Sequence, residues 1–291
     1  MKLEDRLRSH LSDRVLKRLL TKAHTSNRRS DIDTAEVVSR ALVLEALSGR
    51  LKRFNSRIPF RVVQFWDRPR VPADVMACMS TWRSQAAFEY EVFDDSSARD
   101  FISCEFDRNH AAAYAYCHHP AMKADYFRLA YLWVRGGIYV DADEVCGVGD
   151  FRSLVSRCKS FGARPLCRDL TPPGRSLALW RLTDEDYLNP KMRFYFNNDV
   201  LASVPRHVIV GKALTRASRL IAAAKRRRER CPIHWTTGPD NLTLAIYDAG
   251  LDALRDQAEF DFSVITNWHE FATHKGNLDY QETSRNWRSC G

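Results

Sequence analysis

The chain has 291 residues, 45% hydrophobic and 28% charged, with 45 Lys and Arg against 36 Asp and Glu. That composition supports a globular protein with a sizeable core and excludes disordered and fibrous classes. The net charge of +9 favours anionic partners such as phosphates, nucleotides or acidic lipid surfaces; none of the eight cysteines forms a C-x-x-C pair, which argues against zinc ribbons and thioredoxin-like redox chemistry and for reduced thiols in a cytosol.

In chain order, Leu3, Leu7, Leu11, Val15, Leu19 and Leu20 recur every three to four residues, with Arg6, Arg8, Arg14, Lys17, Arg18 and Lys22 between them. This is the pattern of a basic amphipathic helix, either packed on the domain or resting on an anionic membrane surface. The opening residues lack the apolar stretch of a signal peptide, and no run approaches a membrane span, so a cytoplasmic location is expected, with possible peripheral membrane contact. A second helix is expected over about 33–51. Residues 1–55 are read as an N-terminal helical extension, and 56–291 as the main domain.

IPFRVVQFW (58–66) reads as a buried strand and DRPRVP (67–72) as a loop. DVMACMSTWRSQ (74–85) reads as a helix and FEYEVFD (88–94) as a second strand. Strand alternating with helix predicts an α/β fold with a mostly parallel sheet. ARDFISCEF (98–106) and NHAAAYAYC (109–117) add helical content. MKADYFRLAYLWVRGG (122–137) is the clearest helix, its glycine pair supplying a C-terminal stop, and IYVDADE (138–144) follows as a strand. Short strands and loops are expected from 150 to 210, then helices near 212–230 and 241–251. KRRRER (225–230), the one strong charge run, reads as a solvated helix end.

Alternation along a strand places Asp141 and Asp143 on one face and Ala142 on the other. Two converging carboxylates repel each other unless a proton or cation lies between them. A hard divalent ion takes oxygen ligands, including the phosphate oxygens of a substrate. A D-x-D pair alone also describes a polar strand end facing water.

The longer stretch KADYFRLAYLWVRGGIYVDAD (123–143) is more specific. It resembles glycosyltransferase family 32, the Och1-like proteins with a D-x-D-containing sugar-binding region, through Ala124, Asp125, Arg128, Leu132, Gly136, Gly137, Tyr139, Asp141 and Asp143. The segment is distantly similar to the clostridial glucosylating toxins. The resemblance implies a GT-A, Rossmann-like nucleotide-sugar-binding fold. It also implies a retaining hexosyltransferase that uses a UDP- or GDP-linked donor with Mn²⁺ or Mg²⁺.

The same resemblance assigns roles to residues. Asp125 and Arg128, three apart on one helix face, would contact sugar hydroxyls, and Tyr139 belongs to the donor-binding core. Asp141 would contact ribose or metal-bound water, while Asp143 would ligate the metal directly. Gln64 and Trp66 match the family's opening strand, with Trp66 stacking on the nucleobase. Asn198 and Asp199 of FNNDV would lie near the anomeric carbon as catalytic candidates. In TTGPDNLT (236–243), Asp240 or Asn241 would face the cleft. His274, in preference to His269, would complete the metal shell.

The expected acceptor is a saccharide or glycolipid of surface polysaccharide, lipopolysaccharide or glycolipid synthesis, with a protein-glycosylating effector as the alternative. Two further readings are weaker. YVDADEV satisfies the D-x-D-x-V motif of haloacid-dehalogenase-type phosphatases, with Asp141 as nucleophile and Asp143 as general acid, but it lies far from the N-terminus. KRRRER would suit nucleic acid, a partner that is not expected here.

Overall fold

The computed structural model describes residues 54–285 apart from 86, 87 and 173, together with residues 35, 36, 38–40, 42, 43, 46 and 47. The basic helix expected over the first 22 residues lies outside the described residues. Those described between 35 and 47 are helical, as expected. Ala35 and Val38 pack with Leu244 and Tyr247, and Val43 joins the main core.

The elements run β1 (Arg61–Phe65), α1 (Ala73–Arg83), β2 (Glu89–Phe93), α2 (Asp95–Glu105), α3 (Arg108–Tyr116), α4 (Pro120–Arg135), β3 (Gly137–Tyr139) and β4 (Glu144–Cys146). They continue with α5 (Phe151–Ser156), β5 (Phe161–Asp169), β6 (Arg175–Ala178), α6 (Asp184–Leu188), β7 (Met192–Ser203) and α7 (Val208–Arg227). Last come α8 (Ile233–Thr236), α9 (Pro239–Arg255), β8 (Ser263–Val264) and β9 (Ala272–His274). The large sheet has the order β2-β1-β3-β7-β5-β6, with β8 beside β5. β1 pairs in parallel with β2 and β3, and β8 in parallel with β5. β7 is antiparallel to both β3 and β5, and β6 is antiparallel to β5. Thus β1, β2, β3, β5 and β8 share a direction that β6 and β7 oppose, and the sheet is mostly parallel as expected.

Local chemistry sets the boundaries that position the site. α2 begins at Asp94, whose carboxylate accepts from Ser97 N at 2.8 Å while Ser97 Oγ bonds back to Asp94 N, a capping box. α4 begins after His119 with Pro120 in its first turn and stops at Gly136, where φ is 64°. A Cβ at Gly136 would sit 2.7 Å from Pro205 Cδ and from the Ser203 carbonyl oxygen. Only glycine fits this positive-φ, extended-ψ turn against the Ser203–Pro205 backbone. The buried length of α4 packs Phe127 against the rings of Phe65 and Phe93. Full burial of such a ring contributes about 1.5–3 kcal/mol.

Two expectations change. β3 ends at Tyr139, and Asp141 to Glu144 form a turn in which Glu144 N donates to the Asp141 carbonyl at 3.2 Å. Asp141 and Asp143 therefore share the cleft through a turn rather than through strand alternation. The region between 150 and 210, expected as short strands, contains the 12-residue β7, whose middle carries Asn197, Asn198 and Asp199. Three consecutive polar residues hide the strand from pattern reading. The basic run ends α7: Lys225, Arg226 and Arg227 form its last turn and Arg228 caps it at φ 59°, where cations complement the helix dipole. Among the described residues no helix is long and apolar enough to cross a membrane.

Candidate active site

A cleft of about 720 Å³ opens where β1 and β3 end, the place where open α/β sheets hold ligands. β1 delivers Trp66 and Asp67, the turn after β3 delivers Asp141 to Glu144, and β7 crosses between with Asn197, Asn198 and Asp199. α4 contributes Ala124, Asp125 and Arg128 from one side. β5, β6 and the segment from His269 to Arg285 complete the wall.

Arg128 is the hub of this arrangement, with only 3% of the residue exposed. Its Nη2 donates to Asp141 Oδ1 at 2.9 Å and lies 3.1 Å from Asp125 Oδ1. Nη1 donates to the Asn198 carbonyl, and the guanidinium lies 4.2 Å over the Tyr139 ring. Asp125 also accepts from Asn198 Nδ2 at 2.7 Å and from Thr237 Oγ1 at 3.2 Å. Three donors on a carboxylate with about four lone-pair sites leave it room for one more. Burial raises the Asp125 carboxyl above its ordinary value, against the pull of Arg128.

Asp141 is tied by its backbone as well as by its side chain. Its N–H donates to Asp199 Oδ1 at 2.9 Å, and its carbonyl accepts from Gln64 Nε2 at 2.9 Å. Gln64 is oriented by Tyr90, whose hydroxyl donates to its Oε1 at 2.7 Å. Gln64 is fully buried and reaches the site only through Asp141, rather than from the cleft wall. Burial raises the Asp141 carboxyl well above the usual range; Arg128 opposes this, while Asp199 and Asp143 add to it.

The pairing of β4 with β9 sets Glu144 opposite His274. His274 Nδ1 consequently lies 3.5 Å from Asp143 Oδ2, to which the Tyr280 hydroxyl donates at 2.6 Å. Burial pushes Asp143 upward, but the bond and charge of His274 outweigh it and hold the carboxyl below its usual value. The Asp143 contact raises His274 to about 9. His269, by contrast, lies against Trp180, with ring centroids 5.8 Å apart.

Among the described residues no three His, Cys, Asp or Glu side chains form a ready-made metal cluster. Asp143 and His274 supply two adjacent donors on the cleft wall, with Asp141 close by. This suits a hard ion such as Mg²⁺ or Mn²⁺, which keeps waters and phosphate oxygens in its shell and needs few protein ligands. The residues present fit such an ion when a diphosphate completes the coordination.

Several site residues escaped the sequence reading. Glu144 is 1% exposed; it accepts from Arg164 Nη1 and from Trp268 Nε1, both at 3.3 Å. Burial, then the Asp199 charge, raises it well above the carboxylate range, with Arg164 opposing. Its position directly after D-x-D was the only signal in the chain. Tyr280 and Arg285 close the β1 end of the cleft: Trp66 meets the Tyr280 ring edge-on at 5.3 Å and the Arg285 guanidinium at 4.8 Å, and Arg285 pairs with Asp67. Trp66 Nε1 is buried with no hydrogen-bond partner among the described residues. Neither Asp240 nor Asn241 lines the cleft. Asp240 accepts from Arg168 at 3.4 Å, and Asn241 is fully buried, donating to the Ala213 carbonyl at 3.0 Å. From that turn Pro239 lines the cleft, and the buried Thr237 touches it only through Asp125.

Residues 72–150 match the family described as "Glycosyltransferase sugar-binding region containing DXD motif", the family that 123–143 resemble. The chain is 38% identical over 69 residues to "Uncharacterized glycosyltransferase L373" of Acanthamoeba polyphaga mimivirus. That alignment covers 23% of this chain and 28% of the relative, so the chain spans little more than a quarter of the curated relative's length. Among solved structures, the PaToxG glycosyltransferase is similar at 14% identity and a TM-score of 0.45, with 96% of each chain covered.

Proposed function

We propose that the protein is a metal-dependent, retaining glycosyltransferase that moves a hexose from a UDP- or GDP-linked donor to a saccharide or glycolipid acceptor. The observation that carries this reading is Arg128, which links Asp125 of the α4 face, Asp141 of the D-x-D turn and the Asn198 carbonyl of β7 within one cleft. This supports a reading in which one donor molecule would meet the Asp125–Arg128 pair, the D-x-D pair and the catalytic candidates. Trp66 would pack along the nucleobase, and Asp125 would accept a sugar hydroxyl at its remaining lone pair. Asp143, His274 and Asp141 would hold the cation. The chemistry such an ion supplies when bound is Lewis-acid neutralisation of the leaving diphosphate.

Asn198 and Asp199 flank the position of the sugar's first carbon. Retention follows either from a side chain beneath that carbon, for which these two are the candidates, or from attack on the same face with the leaving phosphate as base. Synthesis of a surface polysaccharide, lipopolysaccharide or glycolipid would suit a cytoplasmic enzyme whose +9 charge holds it near an anionic membrane face. The test is release of free sugar from a panel of UDP- and GDP-hexoses with Mn²⁺ and with a chelator. Metal-dependent hydrolysis of at least one donor is expected, and no hydrolysis and no donor-induced change in Tm would refute the reading.

A further inference from the structure

Trp180 is 55% exposed, and it is the one exposed aromatic side chain among the described residues. A single exposed apolar side chain is ordinary, but this one lines the cleft. It sits in the tight turn Leu179–Arg181 directly after β6. The Arg181 guanidinium lies 4.8 Å over its ring, and the His269 ring stands 5.8 Å away at 35°. The Arg181 cation and a partly exposed indole therefore stand together on the cleft wall.

The sheet order gives this corner its meaning. The cleft runs along β1, β3, β7, β5 and β6, four strand spacings or roughly 19 Å. The β1 end is closed by Trp66, Tyr280 and the Arg285–Asp67 pair. The D-x-D turn and Asn198 with Asp199 stand in the middle. The opposite, β5–β6 end is lined by Leu177, Ser176 and Trp180 and offers a route for a second substrate.

We infer that Trp180, Arg181 and His269 form the acceptor subsite and that it takes a saccharide, one ring stacked on the indole; this rests on the glycosyltransferase reading above. A sugar ring offers a C–H face to a flat π-surface and hydroxyls to surrounding donors, and the corner provides both. An extended peptide acceptor would instead add to the free edge of β6 through backbone hydrogen bonds and would have no need of the indole.

Saturation-transfer NMR tests the assignment with methyl glycosides of glucose, galactose, mannose and N-acetylglucosamine, with lactose and maltose, and with a serine- and threonine-containing hexapeptide. The full chain is used with Mn²⁺ and a nucleoside diphosphate. At least one saccharide is expected to receive saturation, with Trp180→Ala weakening its binding tenfold or more and Trp180→Phe restoring most of it. The Tm shift caused by the nucleoside diphosphate should be the same in Trp180→Ala as in the parent, which also shows that the variant folds. Absence of any saccharide signal, a signal indifferent to Trp180→Ala, Trp180-dependent peptide binding, or loss of the nucleotide shift in Trp180→Ala would each overturn it. Failure of the glycosyltransferase reading shows separately, as the absence of both donor hydrolysis and a donor-induced change in Tm in the parent.

Discussion

Asp199 holds Asp141 by its backbone: the Asp141 N–H donates to Asp199 Oδ1 at 2.9 Å, across 58 positions of sequence. A strand residue would normally satisfy that N–H through a ladder bond. Here a carboxylate from β7 takes it and frees the chain to turn, which brings Asp143 onto the cleft wall. Asp199→Ala removes the acceptor and leaves a buried donor unpaired, at a cost of about 1–3 kcal/mol. Urea unfolding should show that loss, and donor hydrolysis should fall with it. Asp199→Asn keeps an acceptor oxygen and should recover most of the stability. If both variants unfold like the parent, Asp199 does not hold the turn.

Asp143→Ala should abolish metal-dependent donor hydrolysis while leaving the far-UV circular dichroism spectrum unchanged. Its carboxylate contacts Tyr280 and His274 on the cleft wall and anchors no core element. Activity that persists in this variant would remove Asp143 as the metal ligand.

If Asp143 and His274 hold a cation as proposed, its binding should depend on pH. With His274 raised to about 9, a cation that took His274 as a ligand near pH 7 would have to displace its proton. Affinity should therefore rise with pH up to about 9. Calorimetric titration with Mn²⁺ in two buffers of different ionisation enthalpy should read out proton release near neutrality, and buffer-independent heats would contradict it. The linkage to stability has a definite sign. A folded value above the unfolded value of about 6.5 stabilises the metal-free protein fully below that value, and the stabilisation fades as pH rises through about 9. Asp143, held low, acts oppositely: it contributes at neutral pH and is lost in acid.

Gly136→Ala tests the turn that launches β3. Its φ of 64° and the 2.7 Å approach of Pro205 and Ser203 leave no space for a methyl group. A loss of at least about 1–3 kcal/mol is expected in chemical denaturation. A neutral outcome would show that the loop around Pro205 yields without cost.

Much of the cleft wall around the D-x-D turn was legible because its signals are local. The helix MKADYFRLAYLWVR, the stop at Gly136 and Gly137, and the two aspartates after a short apolar strand lie within one stretch of chain. Asp125 and Arg128 share a helix face by periodicity alone. The rest of the site was not legible. Arg164, Tyr280 and Trp180 have no local pattern, and they reach the cleft only because β5, β6 and the C-terminal segment fold back upon it.

The sequence by itself determined the α/β class, the α4–turn–β3 unit and the residue types D-x-D, because backbone propensity, glycine conformations and spacing act within a few residues. Tertiary structure decided how those residues are used. Only the pairing of β3 with β7 could put Asp199 beneath the Asp141 N–H, and only the pairing of β4 with β9 could put His274 rather than His269 beside Asp143. Strand register between distant segments is fixed by mutual burial and hydrogen bonding, which no single stretch of the chain encodes.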